Sequence, residues 1–240
     1  MSDKIIAVRA PSWPAGQEPD PDCAFCPRLA AFRDSVRVTQ PDWHNAPVPN
    51  FGDLDARLLV VGLAPGLRGA NRTGRPFTGD FAGDLFYATL IDFGFATGDY
   101  EARSDDGLRL VSCAITNAVR CVPPQNKPTP AEIGSCRPFL AATIAALPEL
   151  RAIVALGRVA HESVVRAFGQ RLAAFPFAHG AEHVLNENQP KQSFDANGSC
   201  PDARMIRLFN SYHCSRYNTN TGVLTQDMFR AVFAKAREKL

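Results

Sequence analysis

The stretch "RLLVVGLAPGLRGANRTGRPFTGDFAG", residues 57–83, decides how the chain folds. Its opening, Arg57–Leu63, places Leu58, Leu59, Val60 and Val61 in an unbroken apolar run. A strand with apolar side chains on both faces belongs in a parallel sheet covered by helices on both sides. The loop that follows, Gly62 to Gly83, holds six glycines, three arginines and two prolines, but only one acidic residue, Asp80. Such a loop lets backbone N–H groups approach an anion closely. It matches neither G-x-x-x-x-G-K-[ST] nor a G-x-G-x-x-G that opens a helix, so it does not by itself indicate a nucleotide.

Outward from this stretch, three more short apolar runs read as buried strands: Val111–Ala118, Ala152–Leu156 and Met205–Ser211. Helical patterns lie around and between them, at Pro27–Arg37, Asp84–Ile91 and onward, Pro130–Ala146, Arg158–Phe168 and Thr225–Leu240. In the last, Met228, Val232 and Ala236 recur at helical spacing behind Thr225, a suitable N-cap. Strands alternating with helices predict an α/β fold with a mainly parallel sheet. The stretch from Pro176 to Ala203 reads as a long loop or small insertion. No internal repeat is visible, and residues 1–50, rich in proline, form an N-terminal extension of a single domain spanning residues 1–240.

Ligands of such sheets bind at the carboxyl ends of the strands. Three polar segments converge on that edge. They are the glycine-rich loop, the strand end Thr116-Asn117-Ala118, and "HCSRYNTNTG", His213–Gly222.

The 240 residues, 45% of them hydrophobic, suffice for a real core, and a net charge of +2 gives no global basic field. Any polyanion contact must come from local arginines, Arg68, Arg72 and Arg75 in the loop and Arg216 near the chain's end. No apolar stretch approaches the ~20 residues that span a bilayer, and the N-terminus lacks a signal-peptide pattern. A soluble, cytoplasmic protein is the expectation.

Seven cysteines are more than packing in a reducing compartment requires. Cys23 and Cys26 are separated by two residues, and Cys121 and Cys136 by a loop leading into a helix. A Cys₄ set of this kind suits tetrahedral zinc or a [4Fe–4S] cluster, and residue chemistry alone does not separate them. Cys113 reads as strand packing; Cys200 and Cys214 stand outside the set.

Individually, the polar candidates have ordinary readings. Asp80 in a turn is most often an N-cap, Asn117 a turn residue, His213 a structural imidazole, and Phe77 core filler.

Together, "GLAPGLRGANRTGRPFTGDFAG", "ITNAVRCVPPQNKPTP" and "HCSRYNTNTGVLT" resemble the motifs of the family 5 (type b) uracil-DNA glycosylases. The cysteine spacing resembles the cluster site of the family 4 and family 5 enzymes. The resemblance runs over roughly residues 20–235. It implies a three-layer α/β/α sandwich around a four-stranded parallel sheet, a [4Fe–4S] cluster on Cys23, Cys26, Cys121 and Cys136, and hydrolysis of the N-glycosidic bond of a damaged base. By the same resemblance Phe77 stacks on the flipped base, Asn117 reads its edge, His213 stabilises the departing base and Asp80 assists the water. Gly62, Ala64 and Gly66 then line the base pocket, while Arg68, Arg72, Arg75, Arg216 and Asn218 contact DNA. Two positions depart from the wider superfamily. Ala64 stands where other families place Asn, Asp or Glu, and Cys214 replaces a proline after the histidine.

The expected substrate is uracil in double-stranded DNA, with hypoxanthine and xanthine besides, cleaved by a monomer associated with the nucleoid through its DNA. Two competing readings are a non-catalytic nucleic-acid-binding protein with a structural Cys₄ zinc, and a redox protein. Neither requires the trio Asp80, Asn117 and His213, and no flavin or nicotinamide fingerprint accompanies the cysteines.

Overall fold

The computed structural model describes residues 13–14, 16–186 and 204–240. Pro27, in the first turn, opens α1 (Pro27–Thr39) just after the Cys23–Cys26 turn. A two-residue edge strand, β1 (Phe51–Gly52), precedes β2 (Leu58–Gly62), which is buried over its whole length. The glycine-rich loop contains a single helical turn, α2 (Ala70–Thr73), and runs into α3 (Phe81–Asp92). A small two-stranded sheet, β3 (Ala96–Thr97) with β4 (Arg109–Leu110), leads to β5 (Cys113–Asn117).

The second half repeats the alternation. A capping box between Thr129 and Glu132 starts α4 (Pro130–Ala145). It is followed by β6 (Ala152–Leu156), α5 (Arg158–Ala167), β7 (Glu182–Asn186) and β8 (Met205–Ser211). The chain closes with α6 (Arg216–Asn220) and α7 (Gln226–Arg237), whose N-cap is Thr225.

The sheet order is β1-β5-β2-β6-β8-β7. The four central strands are parallel and coincide with the four predicted from apolar runs. The sheet has six strands rather than four, because β1 and β7 add antiparallel edges. β7 lies within the stretch read as a loop. Only Leu185 of its five residues is buried, so it carries no apolar run to find.

Period-two alternation builds the two cores. Leu58 and Val60 face one side with Phe86 and Leu90 of α3 and Phe229 and Phe233 of α7. Leu59 and Val61 face the other with Leu140 and Ile144 of α4 and Val164 and Val165 of α5. The result is a helix–sheet–helix sandwich. Each fully buried aliphatic side chain contributes roughly 1.5–3 kcal/mol.

The strand order also locates a crevice. β5 pairs on one side of β2 and β6 on the other, so the connections leaving β2 and β5 turn in opposite directions. Ligands in open α/β sheets bind at such a switch point. Among the described residues, no helix is long and apolar enough to cross a membrane.

Candidate active site

At the carboxyl end of β2 and β5 opens a cavity of about 380 Å³, lined by Ala64, Gly66, Phe77, Asp80, Asn117, His213 and Arg216, among others. The three segments singled out in the sequence therefore meet in one place.

Gly62 and Asn117 are register partners at the ends of β2 and β5. A β-carbon on Gly62 would lie 2.4 Å from Asn117 Oδ1 and 2.7 Å from Phe77 Cζ. Glycine is required there because the amide and the ring occupy that space. Asn117 is buried, and among the described residues its amide makes no hydrogen bond. A donor and an acceptor thus remain free for a planar ligand.

Phe77 adopts the left-handed conformation, φ 52°. A bulky residue there is a genuine outlier and costs backbone strain. Its ring is both core and cavity wall, 4.5 Å from the Phe86 ring and stacked at 5.9 Å on His213.

Asp80 is indeed an N-cap. Its Oδ1 accepts from Ala82 N–H at 3.2 Å and starts α3 three residues earlier than the apolar pattern indicates. The capping carboxylate also lines the cavity. Burial raises its pKa above the usual carboxylate value, opposed by the backbone N–H groups of Ala82 and Gly83. His213 has burial as its only perturbation, which pushes its pKa down to about 4 and keeps the imidazole neutral at neutral pH.

The His213 loop is firmly held despite the missing proline. Cys214 is fully buried, its Sγ 3.6 Å from Ala82 O, and Ser215 caps α6. Asn218 Nδ2 donates to His213 O at 2.8 Å. That bond closes the loop and leaves one N–H and the oxygen of the Asn218 amide for DNA.

Arg75 corrects the sequence reading. It is 4% exposed, forms a two-pronged ion pair with Asp106 at 2.7 and 2.6 Å, and donates through Nε to Thr78 Oγ1. Its guanidinium also lies over the rings of Phe51 and Tyr87. Three of its five N–H donors are used, and burial keeps the other two from a phosphate. Arg68 and Arg72 are exposed, and Arg216 is exposed at the cavity with its guanidinium 5.1 Å from the Phe81 ring. Arg158 was not singled out in the sequence. It opens α5 directly after Gly157, where a β-carbon would come within 3.8 Å of His213 Cβ. Its place directly behind a parallel strand was the available signal.

A family model of the uracil-DNA glycosylase superfamily matches residues 49–237. The chain belongs to the uracil-DNA glycosylase superfamily. Within it the chain groups with the type-5 enzymes. It is 44% identical to a type-5 uracil-DNA glycosylase of Thermus thermophilus, over 90% of this chain and 92% of the relative. Identity to the type-5 enzyme of Pyrobaculum aerophilum is 38%, over 90% and 88% of the two chains. A type-4 enzyme of Thermotoga maritima is 39% identical over 58% of each chain.

A second cluster lies away from the cavity. Cys23, Cys26, Cys121 and Cys136 line one small pocket between the start of α1, the turn after β5 and the middle of α4. Leu29, Val119 and Phe139 supply apolar walls. Two buried arginines flank it. Arg33 donates to Cys23 O at 3.0 Å, and the backbone N–H of Arg120 donates to Cys136 Sγ at 3.3 Å. Arg120 is 1% exposed, its Nη groups reach only Val48 O and Thr143 Oγ1, and the Nε atoms of both arginines lack hydrogen-bond partners. Arg33 Nε lies 3.7 Å from Asp34 Oδ1, but Arg120 has only neutral hydrogen-bond partners, so the pocket is suited to an anionic occupant such as a metal–thiolate centre. Among the described residues no three His, Cys, Asp or Glu side chains stand close enough to hold a single ion. Cys113 packs in β5 as expected, and Cys200 lies outside the described residues.

Proposed function

We propose that this chain, a uracil-DNA glycosylase by family, hydrolyses the N-glycosidic bond of uracil in double-stranded DNA and so initiates base excision repair. The observation that carries the reading is the meeting of Asp80, Asn117, His213 and Phe77 in one cavity.

A base in a stacked duplex must first be flipped out, at a cost of a few kcal/mol. Stacking on Phe77 returns ~1–3 kcal/mol of that. Asn117 offers its free amide to the edge of the base. As the bond breaks, the sugar gains oxocarbenium character and the base gains negative charge. The ionised Asp80 carboxylate stabilises the first and orients water; the neutral His213 donates a hydrogen bond to the second. Arg216 at the cavity and the exposed Arg68, Arg72 and Arg158 would bind phosphates. The enzyme acts as a monomer in this reading.

The pocket also accepts deaminated purines. Ala64 presents no polar group, which leaves selectivity to the leaving ability of the base. The glycines do not widen the pocket. Space beside Gly62 is filled by Asn117 and Phe77, and space beside Gly66 and Gly69 by Asp80. Breadth therefore rests on Ala64 alone.

Cys23, Cys26, Cys121 and Cys136 would hold a [4Fe–4S] cluster. The cysteine spacing, which resembles the cluster site of the family 4 and family 5 enzymes, supports it over zinc, and Leu29, Val119 and Phe139 give the site apolar walls. When bound, the cluster supplies a covalent tie between the N-terminal segment, the turn after β5 and α4. None of its ligands lines the base cavity.

The test is a set of identical duplexes carrying uracil, thymine, hypoxanthine or xanthine, incubated with excess enzyme and then alkali. Scission at uracil and hypoxanthine supports the reading. Scission at uracil alone removes the argument from Ala64, and none at all removes the function.

A further inference from the structure

Phe77 carries the proposed stacking ring from a strained backbone, and the surroundings show what holds it. Its carbonyl accepts from Tyr100 OH at 3.2 Å, and the same hydroxyl accepts from Gly79 N–H at 3.4 Å. One residue earlier, Pro76 O accepts from Tyr87 OH at 2.6 Å. The two tyrosine rings stack on each other at 4.5 Å and 25°. Behind them the Arg75 guanidinium, paired with Asp106, lies 5.3 Å from the Tyr87 ring and 5.8 Å from the Tyr100 ring. Gly83 makes the approach possible: a β-carbon there would lie 2.1 Å from Phe77 O and 2.2 Å from Tyr100 OH.

We propose that Tyr87 and Tyr100 are positioning residues for base flipping, pinning the Pro76–Gly79 turn so that the Phe77 ring stands ready to stack. Neither hydroxyl lines the base cavity, so neither acts on the substrate directly. Burial pushes the Tyr100 phenol up to about 12, so it remains a donor throughout the working range. Left to itself, a phenylalanine leaves the left-handed region for an unstrained conformation, which would turn the ring away from His213. The two hydroxyls clamp the consecutive carbonyls on either side of that torsion. The proposal rests on the reading of Phe77 as the stacking platform.

The test uses Tyr100→Phe and Tyr87→Phe, which keep both rings and delete one hydroxyl each, with Phe77→Ala as control. Single-turnover rates are measured on uracil paired with adenine and on uracil in single strands. Flipping is followed by the fluorescence of 2-aminopurine placed beside the uracil. Misplacing the ring should slow excision of paired uracil roughly tenfold and lower the flipping signal in proportion. Single-stranded uracil, which has no partner to leave, should be affected much less. A merely structural role would instead slow both substrates alike and lower the melting temperature. Should one variant fail to fold, the other gives the same comparison.

If Phe77→Ala leaves the paired-to-single-stranded ratio unchanged, the stacking reading fails. If Phe77→Ala changes that ratio and both tyrosine variants leave it at the wild-type value, the positioning proposal is overturned.

Discussion

The Asp80 carboxylate rests against the bare backbone of Gly69, where a β-carbon would stand 2.4 Å from Oδ2. Gly69 precedes α2, and the contact with Asp80 calls for glycine there. Gly66 meets the same oxygen at 2.9 Å. The two glycines of the loop thus fix how far the carboxylate reaches over the cavity. Gly69→Ala must displace Asp80, and such misplacement of a reacting group costs ~10² in rate. Gly66→Ala, which touches only the tip of the carboxylate, should cost less. Single-turnover excision by the two variants measures the order, and wild-type rates for Gly69→Ala would show that the carboxylate has room to spare.

The pH profile follows from the two titrating groups. Asp80 acts ionised, and burial raises its pKa above 3.8, so the rate should fall on the acid side as pH drops through that raised value. His213, pushed down to about 4, stays neutral across pH 6–8. The single-turnover rate should therefore be flat across pH 6–8, with no inflection near the ordinary histidine pKa of ~6.5. Such an inflection would mean that His213 acts as an imidazolium.

The arginines of the loop should separate cleanly. Arg68→Ala and Arg72→Ala each remove a phosphate contact and should flatten the slope of log K against log salt by ~0.9, with the melting temperature unchanged. Arg75→Ala instead strands the buried Asp106 carboxylate and should destabilise the fold by ~3–5 kcal/mol. Against the pull of burial, hydrogen bonds from Arg75, Glu101 N–H and Leu108 N–H hold Asp106 down at about 2. A depressed carboxylate contributes stability that is present above its unfolded value of ~3.9 and lost as pH falls toward 2. Denaturant titrations at pH 7 and pH 3 check this, since the gap between wild type and Arg75→Ala should narrow in acid.

What the sequence revealed follows physical lines. The four central strands were legible because burial on both faces demands unbroken apolar runs, as at Leu58–Val61. β7 was not, because an edge strand exposes most of its side chains and reads like loop. Asp80, Asn117 and His213 were legible because the loop after β2, the end of β5 and the segment after β8 all lie at the edge where a parallel sheet places ligands. Arg75 was misread because composition marks a residue as polar without saying what it pairs with. The partner of Arg75, Asp106, lies 31 positions away, outside any local pattern. Gly62, Gly66 and Gly69 are contact points, which a glycine-rich composition does not show.

Purified anaerobically, the protein should contain iron and sulfide, and Cys121→Ala should lose both. Arg120 offers a second check, since its buried charge has only neutral hydrogen-bond partners. Arg120→Met should speed the release of iron to a chelator, and Arg120→Lys should restore part of the retention. Stoichiometric zinc without iron would refute the cluster.

The central claim is that the Asp80 charge acts on the reacting sugar, and Asp80→Asn tests it most directly. Asparagine is as good an N-cap as aspartate, so α3 keeps its start. Removing a buried carboxylate whose pKa is raised should not lower stability at neutral pH. Excision of uracil from a duplex, measured with enzyme in excess, should then slow by ~10²–10³ while DNA affinity stays unchanged. A wild-type rate in Asp80→Asn would contradict the claim and leave Asp80 as a helix cap alone.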